Sequence, residues 1–475
     1  MSRLSPLLCL VLAACSAPGG QGGSYKAPTE DLLQAPFTSP AAVVAKQDLP
    51  AWWTAWQDPA LESCVETMLA ANLDLQAAAQ AVLASEAAAR AASGNRGPAV
   101  DLSLDASRGF VTPLGDGNRT YSTLLRPNLT IGWQADLFGK LKSTERSAWN
   151  QALASAEDHE ALNHALIAQV VRQRVAISVL ARRLDLARSV VASREGTLGI
   201  VEGRYQGAVQ GTSAVDVHLA RENLAAAKAN VPALELSLEQ ARHAMNVLLG
   251  QPAGQALELP LAAALPPLAA PPVGMPAALL DARPDLRAAQ FRTQAAAAQV
   301  DVALANLYPD LRLTGTAGWD SYRLEDLFDT DRLFASLIGD LTVRLFGSGT
   351  LSANVDAAKA NLAASAARYR ATILGALQEV EDALAAERLL RDQVEWIETQ
   401  VREAQTAEDL ARERYERGVG QLLTVLDTER RRAIAQDLAL RLQQSIWNAR
   451  VDLHLALGGD WQTETTPAPA NDEIQ

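Results

Sequence analysis

The chain has 475 residues and a formal net charge of −13 at pH 7, with a sequence pI near 5.0. Because no basic patch accompanies this acidic balance, the composition argues against nucleic acid as a partner. Hydrophobic residues make up 48% of the chain and aromatic residues only 5%, with alanine dominating the apolar share. Small apolar residues at this density favour closely packed helices over one thick globular core.

The N-terminus, MSRLSPLLCLVLAACS, combines one arginine with a short apolar run that ends in small residues before Cys15. This pattern predicts a signal peptide over residues 1–14, because so short a run cannot cross a bilayer as a helix. The segment resembles a bacterial lipobox, in which cleavage leaves an N-terminal cysteine that is acylated, and Ser16 then indicates sorting to the outer membrane. We therefore predict covalent lipid on Cys15 and a lipid-anchored tether over residues 15–57. The alternative is an ordinary signal peptide that contains a cysteine by chance.

Cys64 is the one cysteine left after this region, so the sequence offers neither a disulfide nor a zinc motif, and we predict a buried thiol. The carboxylates Glu379, Glu381 and Asp382 lie on a long amphipathic helix, where a charged face is expected far more often than acid–base catalysis. We accordingly predict no enzyme activity, no cofactor and no metal site. No later stretch of 18 apolar residues exists, so any membrane crossing has to be made by strands.

The first predicted helix begins at Asp58, is followed directly by proline, and keeps a helical pattern to about Ala92. Trp52, Trp53 and Trp56 stand just before it. We predict that these rings are buried and pin the start of the helix, although an exposed recognition surface is the alternative.

Two stretches alternate apolar and polar residues with the period of a β-strand, and they predict β-hairpins over about residues 99–135 and 310–345. Each strand is about ten residues long, which is the length a tilted strand needs to cross a membrane. Aromatic residues of the first hairpin cluster toward strand ends, as in an interfacial girdle, at Phe110, Tyr121, Trp133 and Phe138. A hairpin in water has the same alternation, so these strands alone are weak support for a membrane protein.

Landmarks in the chain recur at a nearly constant offset. Pro309 follows Pro98 by 211 residues, and Tyr415 follows Tyr205 by 210. The pattern predicts an internal duplication, in which a helix, a β-hairpin, a long helix and a return helix occur twice.

The duplication predicts the domain limits. The first repeat covers residues 58–250 and the second 276–458, separated by a proline-rich linker over 251–275 and followed by a disordered tail over 459–475. Pro232 is expected to interrupt the return helix of the first repeat.

Four strands cannot stand in a bilayer as an open sheet, because every backbone N–H and C=O group there needs a partner. A closed barrel needs at least about eight strands, so several chains have to share one. Strand counting requires an oligomer but does not decide between two and three chains.

Several segments together resemble the TolC-like outer-membrane efflux protein family, in its lipoprotein branch. They are the lipobox, WWTAW followed by DPAL, two LFG motifs, ARPDLRAA, NLYPDLRLTGTAG, ATILGALQEVEDAL and RYERGVGQLLTVLD. The resemblance implies a mainly α fold whose membrane β-strands form, in a homotrimer, a 12-stranded outer-membrane β-barrel above a periplasmic α-helical barrel. It also implies a passive conduit that reaches an inner-membrane pump through a periplasmic adaptor protein. The alternatives are a lipid-anchored coiled-coil scaffold or adaptor without a pore, and a conduit for type I protein secretion; the cargo stays open.

The resemblance further implies a constriction at the periplasmic end, in the turns between long and return helices. Tyr415 and Asp427 match a tyrosine and an aspartate that narrow the tunnel, and Asp216 of the first turn is a further candidate. The family has aspartate where this chain has Thr424 and arginine where it has Gly420, so this gate would carry fewer charges. Carboxylate rings would repel one another and select cations. The alternative is that Asp427 and Asp216 only cap the return helices.

Overall fold

A computed structural model describes residues 52–56, 58–111, 120–209, 211–257, 259, 282–344 and 347–458. The predicted signal peptide, Cys15, most of the tether and linker, and the tail lie outside these residues, so what was predicted for them stays a prediction. The chain divides into two compact units. The strand unit contains Ala92–Asn150 and Arg292–Ala366, and the helical unit contains the remaining described residues.

The elements follow the predicted order. The α-helices are α1 (Pro59–Ala71), α2 (Leu73–Gly94), α3 (Lys140–Gln206), α4 (Ala214–Leu248), α5 (Pro284–Ala305), α6 (Ser348–Glu416) and α7 (Leu422–Ala456). The strands are β1 (Ala99–Val111), β2 (Thr120–Ala135), β3 (Asp310–Trp319) and β4 (Leu333–Thr342). None of the helices in the described part of the chain is long and apolar enough to cross a bilayer.

The lengths of the helices confirm the predicted duplication. Helices α2 and α5 both have 22 residues, and α4 and α7 both have 35. The first residues of α2 and α5, Leu73 and Pro284, differ by 211, whereas those of α4 and α7, Ala214 and Leu422, differ by 208. Two copies of one helix–hairpin–helix–helix unit therefore form the chain.

The predicted helix from Asp58 to Ala92 is broken at Asn72, which has extended backbone angles. The Asn72 side-chain oxygen accepts a hydrogen bond from the backbone N–H of Leu75 at 3.0 Å, and its amide nitrogen donates to the carbonyl of Leu248 at 2.9 Å. The side chain thus caps α2 and ties it to the end of α4. Because these bonds depend on a distant partner, the local helical period cannot reveal the break.

Helix α4, in contrast, runs through Pro232, where an interruption was predicted. A proline inside a helix removes a backbone hydrogen bond and costs about 3 kcal/mol. Leu234 and Leu238 are buried on one side of it and Ala227 on the other. Burying one leucine contributes about 1.5–3 kcal/mol, so packing on both sides offsets the cost of the proline.

The turn after α4 requires glycine at position 250. Gly250 has a φ of +71°, and a Cβ there would lie 2.4 Å from the carbonyl oxygen of Ala71. We expect Gly250→Ala to lower the free energy of unfolding by about 2 kcal/mol or more, because it adds left-handed strain and a steric overlap. Gly254→Ala is the matched control, since nothing lies within 4 Å of its added Cβ. Equal urea resistance of the two variants would contradict this account.

Of the three tryptophans before α1, Trp52 and Trp56 are buried against α7, as predicted, whereas Trp53 is half-buried. Trp52 and Trp56 are 5% and 7% exposed. The Trp56 ring centroid lies 3.8 Å from that of Trp447, and Trp52 stacks on His454 at 4.6 Å. Cys64 on α1 is also buried, and this burial raises the pKa of its thiol.

The burial of His454 makes the helical unit sensitive to acid. Burial, together with the charge of Arg450, lowers the pKa of His454 from 6.5 to about 3. The unfolded chain therefore binds a proton first, and stability present above pH 6.5 is lost as the pH falls toward 3. We expect wild type to lose about 2 kcal/mol more than His454→Asn between pH 6.5 and 5, in urea unfolding followed by helical circular dichroism. Parallel losses in both proteins would contradict this explanation.

The sheet is antiparallel throughout, in the order β1-β2-β3-β4. Its register pairs Ala99 with Gly132 and Asn128 with Gly318. No described strand pairs with the outer edge of β1 or of β4. One chain therefore supplies a sheet with two open edges.

Candidate functional site

One face of the sheet is apolar across all four strands. The register places on this face Val100, Leu102, Leu104, Leu129, Ile131, Trp133, Leu311, Leu313, Leu337 and Leu341. Leu102 is 81% exposed and Leu337 is 80% exposed within the chain. A broad apolar face that the chain itself does not cover requires an apolar neighbour.

The opposite face is mostly polar. It carries Asp101, Ser103, Asp105, Asn128, Thr130, Gln134, Arg312, Thr314, Thr316 and Asp340, with Val111, Leu124, Phe334 and Ile338 as large apolar exceptions. The Ser103 hydroxyl donates to the Asn128 side-chain oxygen at 2.8 Å, and the Asn128 amide donates to Asp105 at 3.3 Å. The sheet therefore has one face suited to lipid and one suited to water, as in the strands of a membrane barrel.

Aromatic rings mark both ends of the strands. At one end, the ring centroids of Phe110 and Tyr121 are 5.8 Å apart. At the other, Phe138 stacks on Tyr308 at 4.7 Å, and the Trp133 indole donates to the carbonyl of Arg96 at 3.0 Å. For tilted strands, the two bands are separated by about 25–30 Å, which is the height of the apolar band of an outer-membrane barrel.

The turns that end α3 and α6 are in contact, and Tyr415 lies between them. The Arg204 guanidinium donates to the Tyr415 carbonyl and lies 4.6 Å from its ring centroid. The Tyr415 side chain is 5% exposed and packs in a cluster with Val201 and Val425. Burial raises the pKa of its phenol, which also hydrogen-bonds the Thr212 side chain. Tyr415 therefore joins the two turns from inside and does not stand on their surface.

Asp216 caps α4. Its carboxylate accepts a hydrogen bond from the backbone N–H of Ser213 at 2.7 Å, while the Ser213 hydroxyl accepts from the backbone N–H of Asp216 at 3.4 Å. This reciprocal pair is a capping box at the start of α4.

Asp427 does not cap α7. The helix begins at Leu422, more than one turn earlier, and the preceding Gln421 side chain makes no capping bond to any described residue. The Asp427 carboxylate instead accepts hydrogen bonds from Arg430 and Arg431, both at 2.6 Å, and these bonds lower its pKa. It is therefore ionised, and its charge is more than offset by the two arginines. The expected carboxylate ring would need an unpaired Asp427 in each copy. In the chain described here, the Asp427 carboxylate is paired with two arginines.

Gly420 explains one departure from the family pattern. A Cβ at this position would lie 2.8 Å from the backbone nitrogen of Tyr415. The turn approaches the end of α6 so closely that a side chain does not fit without a shift. An arginine here, which the family resemblance led us to expect, therefore does not fit this turn without a shift.

A layer of charged side chains around the buried Glu429 and Glu408 lies close to the turns, and it was not predicted from the sequence. Glu429 is 4% exposed and accepts hydrogen bonds from Thr197, Asn223 and Arg412. Arg412 also pairs with Glu408, 2% exposed, at 2.9 Å. These residues connect α3, α4, α6 and α7. Polar residues within the apolar seams of the long helices are the signal that could have revealed the layer.

A mostly helical chain with a duplicated unit and a four-stranded sheet, apolar on one face and polar on the other, defines the class of TolC-like outer-membrane channels. The profile of the outer membrane efflux protein family matches residues 64–251 and 275–459, one segment in each repeat, and the chain belongs to this family.

Two similar proteins that are named as outer-membrane export or efflux proteins agree with this family assignment. The chain is 33% identical over 472 residues to the pyoverdine export outer membrane protein OpmQ of Pseudomonas putida, covering 96% of this chain and 97% of OpmQ. It is 32% identical to the toluene efflux pump outer membrane protein TtgF of Pseudomonas putida, over 86% of this chain and 85% of TtgF.

Solved structures agree as well. The outer-membrane channel OprN superposes with a TM-score of 0.83 at 28% identity, over 92% of this chain and 98% of OprN. The open state of the Neisseria gonorrhoeae MtrE outer membrane channel gives a TM-score of 0.78 at 28% identity, over 91% and 97% of the two chains. The protein is thus the outer-membrane channel component of an efflux system, as predicted, and the scaffold without a pore is ruled out.

Proposed function

We propose that three copies of this chain, anchored by lipid on Cys15, form a passive conduit for small molecules from the periplasm to the exterior. An inner-membrane pump supplies the energy and reaches the conduit through a periplasmic adaptor protein. The conduit itself needs no catalysis, cofactor or metal. The observation that carries the proposal is the sheet, which has an apolar face, a polar face and two open edges in each chain.

The open edges support three copies over two. In a bilayer the edge of β1 has to pair with the edge of β4 from another copy, because an unpaired backbone group there costs several kcal/mol. Two copies would close eight strands, but the inside of an eight-stranded barrel is filled by its own side chains. Three copies would close twelve strands and leave room for cargo.

For the cargo we propose a chemical class and no single compound. OpmQ is named for pyoverdine export and TtgF for toluene efflux, and the chain is 33% and 32% identical to them. Relatives of nearly equal similarity thus carry different names for their cargo. Small organic molecules are the class the two names share, and type I protein secretion finds no support among them.

Closure is proposed to take place at the turns after α3 and α6. Arg204 and Tyr415 join the two turns of one chain, and the half-buried Asp427 with its arginines lies next to them on α7. In this proposal Tyr415 and Asp216 hold the shape of the mouth, whereas Asp427 sets its charge.

Native mass spectrometry of the protein extracted from outer membranes tests the assembly and the anchor together. We expect a complex of three chains, each lacking residues 1–14 and carrying the added mass of acyl chains. Cys15→Ser should abolish the added mass. Two chains, or a monomer in every mild detergent, would overturn the trimer, and an unmodified Cys15 would overturn the anchor.

A further inference from the structure

Helices α3, α4 and α7 enclose an open groove of about 620 Å³ within the helical unit. Much of its lining is apolar, and small side chains such as Ala226 on α4 and Ala433 on α7 leave space between the helices. The charged residues that line it are four arginines and one aspartate, namely Arg183, Arg194, Arg430, Arg441 and Asp437. The groove is therefore positively charged, in a chain whose net charge is −13.

The one aspartate of this groove serves two of its arginines. The Arg183 guanidinium donates to Asp437 at 2.5 Å, and the Arg441 guanidinium donates to the same carboxylate at 2.7 Å. One carboxylate cannot neutralise two guanidinium groups, so a positive charge is left over at this end of the groove.

Arg194, farther along α3, is not neutralised either. One of its Nη atoms donates to the carbonyl of Asn223 at 2.6 Å, and its guanidinium forms no ion pair in the described part of the chain. Its Nε is buried and has no hydrogen-bond partner among the described residues. Burial lowers the pKa of this guanidinium, although Glu429 and Glu222 act against the shift. A buried donor on a cation with no acceptor is costly, and an anion in the groove would supply the acceptor.

The duplication shows that helix packing alone does not require these arginines. Helices α3 and α6 end at Gln206 and Glu416, and α4 and α7 begin at Ala214 and Leu422, so equivalent residues are 210 and 208 apart. The counterparts of Arg183, Arg194, Arg430 and Arg441 are Gln393, Ala404, Glu222 and Ala233. The second repeat thus has the same pair of helices without a single one of the four positive charges.

We propose that this groove is a binding site for a small organic anion, whose apolar part lies on the alanine-rich walls and whose anionic group accepts hydrogen bonds from the arginines. Guanidinium groups bind carboxylates and sulfonates through charge-assisted hydrogen bonds, which are among the strongest in proteins. A volume of about 620 Å³ is within the range of small-molecule sites, about 300–1,000 Å³. The site goes beyond the proposed conduit, because it needs only the helical unit of one chain.

Equilibrium dialysis of the full-length protein in lipid nanodiscs tests the site, with naphthalene-1,5-disulfonate as the probe and empty nanodiscs as the blank. The two sulfonates keep the probe out of the bilayer. We expect saturable binding of about one probe per chain, at least about tenfold tighter than that of the neutral naphthalene-1,5-disulfonamide. No saturable binding, or equal binding of the two compounds, would overturn the proposal.

Arg194→Gln should weaken binding of the disulfonate about tenfold, because it removes the charge and the unpaired Nε donor. Arg188→Gln is the matched control and should stay within about twofold of wild type. Arg188 is on the same helix but is exposed, and it pairs with Glu235 outside the groove. Equal affinities of the two variants would show that the probe binds elsewhere.

A second pair of variants leaves every charge in place. Ala226→Leu narrows the groove and should weaken binding at least about fivefold, whereas Ala225→Leu, at an exposed position that does not line the groove, should not. This pair decides the matter if Arg194→Gln does not fold, as judged by circular dichroism. Saturable binding of tetraglutamate but not of the disulfonate would assign the groove to an acidic protein segment and contradict the proposal.

Discussion

Leu104→Arg should prevent assembly in the outer membrane, whereas Ser103→Arg should leave most of it intact. Leu104 lies near the middle of β1 on the apolar face, and Ser103 faces the polar side. An arginine facing lipid at the bilayer midplane costs about 2–4 kcal/mol per copy, whereas one facing water does not carry this cost. The measurement is the amount of heat-sensitive oligomer in outer membranes on unheated gels.

The neighbouring positions make a stringent comparison, because they share depth, strand and introduced charge. Ser103→Arg also loses the hydrogen bond to Asn128, which by itself should lower the amount of oligomer slightly. The comparison therefore underestimates the difference between the two faces. Equal loss in both variants, or greater loss in Ser103→Arg, would show that the two faces are assigned wrongly.

Asp427→Ala should raise single-channel conductance at least twofold and shift ion selectivity toward anions. Asp427 offsets part of the charge of Arg430 and Arg431, so its removal changes the local charge from +1 to +2 in each copy. Like charges around a shared mouth repel one another, which favours a wider opening that attracts anions. Conductance and reversal potential in planar bilayers with a salt gradient measure both effects.

Asp409→Ala is the matched control for the Asp427 variant. Asp409 is an exposed aspartate on α6, and it lies near the turn that joins α6 to α7. It should change neither conductance nor reversal potential. If Asp427→Ala behaves like this control, Asp427 does not line the mouth, and its pairs with the two arginines only stabilise α7.

The arrangement of the sheet could be read from the sequence, because a strand has a period of two and its two faces meet different solvents. Alternation at Val100, Leu102 and Leu104 predicted which side chains share a face. The duplication was equally visible, since equal offsets survive where sequence identity between the copies does not. Both features follow from local patterns repeated along the chain.

The missed features depend on partners far away in sequence. Asn72 breaks a helix because its side chain reaches the carbonyl of Leu248, and Pro232 stays helical because tertiary packing holds both sides of α4. The pair of Arg412 with the buried Glu408 looks in sequence like an ordinary i, i+4 surface pair, because the helices that cover Glu408 are distant in the chain. Local period and composition carry no information on such contacts.

The turns after α3 and α6 show the same limit of sequence-based prediction, because the contacts of their side chains could not be predicted. The family resemblance selected Tyr415 and Asp427, and Asp216 of the first turn was a further candidate, but the sequence did not distinguish their surroundings. In the structure Tyr415 is buried, Asp216 closes a capping box, and Asp427 is half-buried and paired with two arginines. We propose that, of the three, Asp427 is the residue whose charge acts on passing ions.

The most direct test of the account is the behaviour of the purified full-length wild-type protein in planar lipid bilayers. We expect discrete conductance steps of uniform size, carried by a species that runs as a trimer on unheated gels and as a monomer after heating. Absence of steps from a preparation that contains the folded trimer would contradict the claim that the four strands of each chain join into a water-filled barrel.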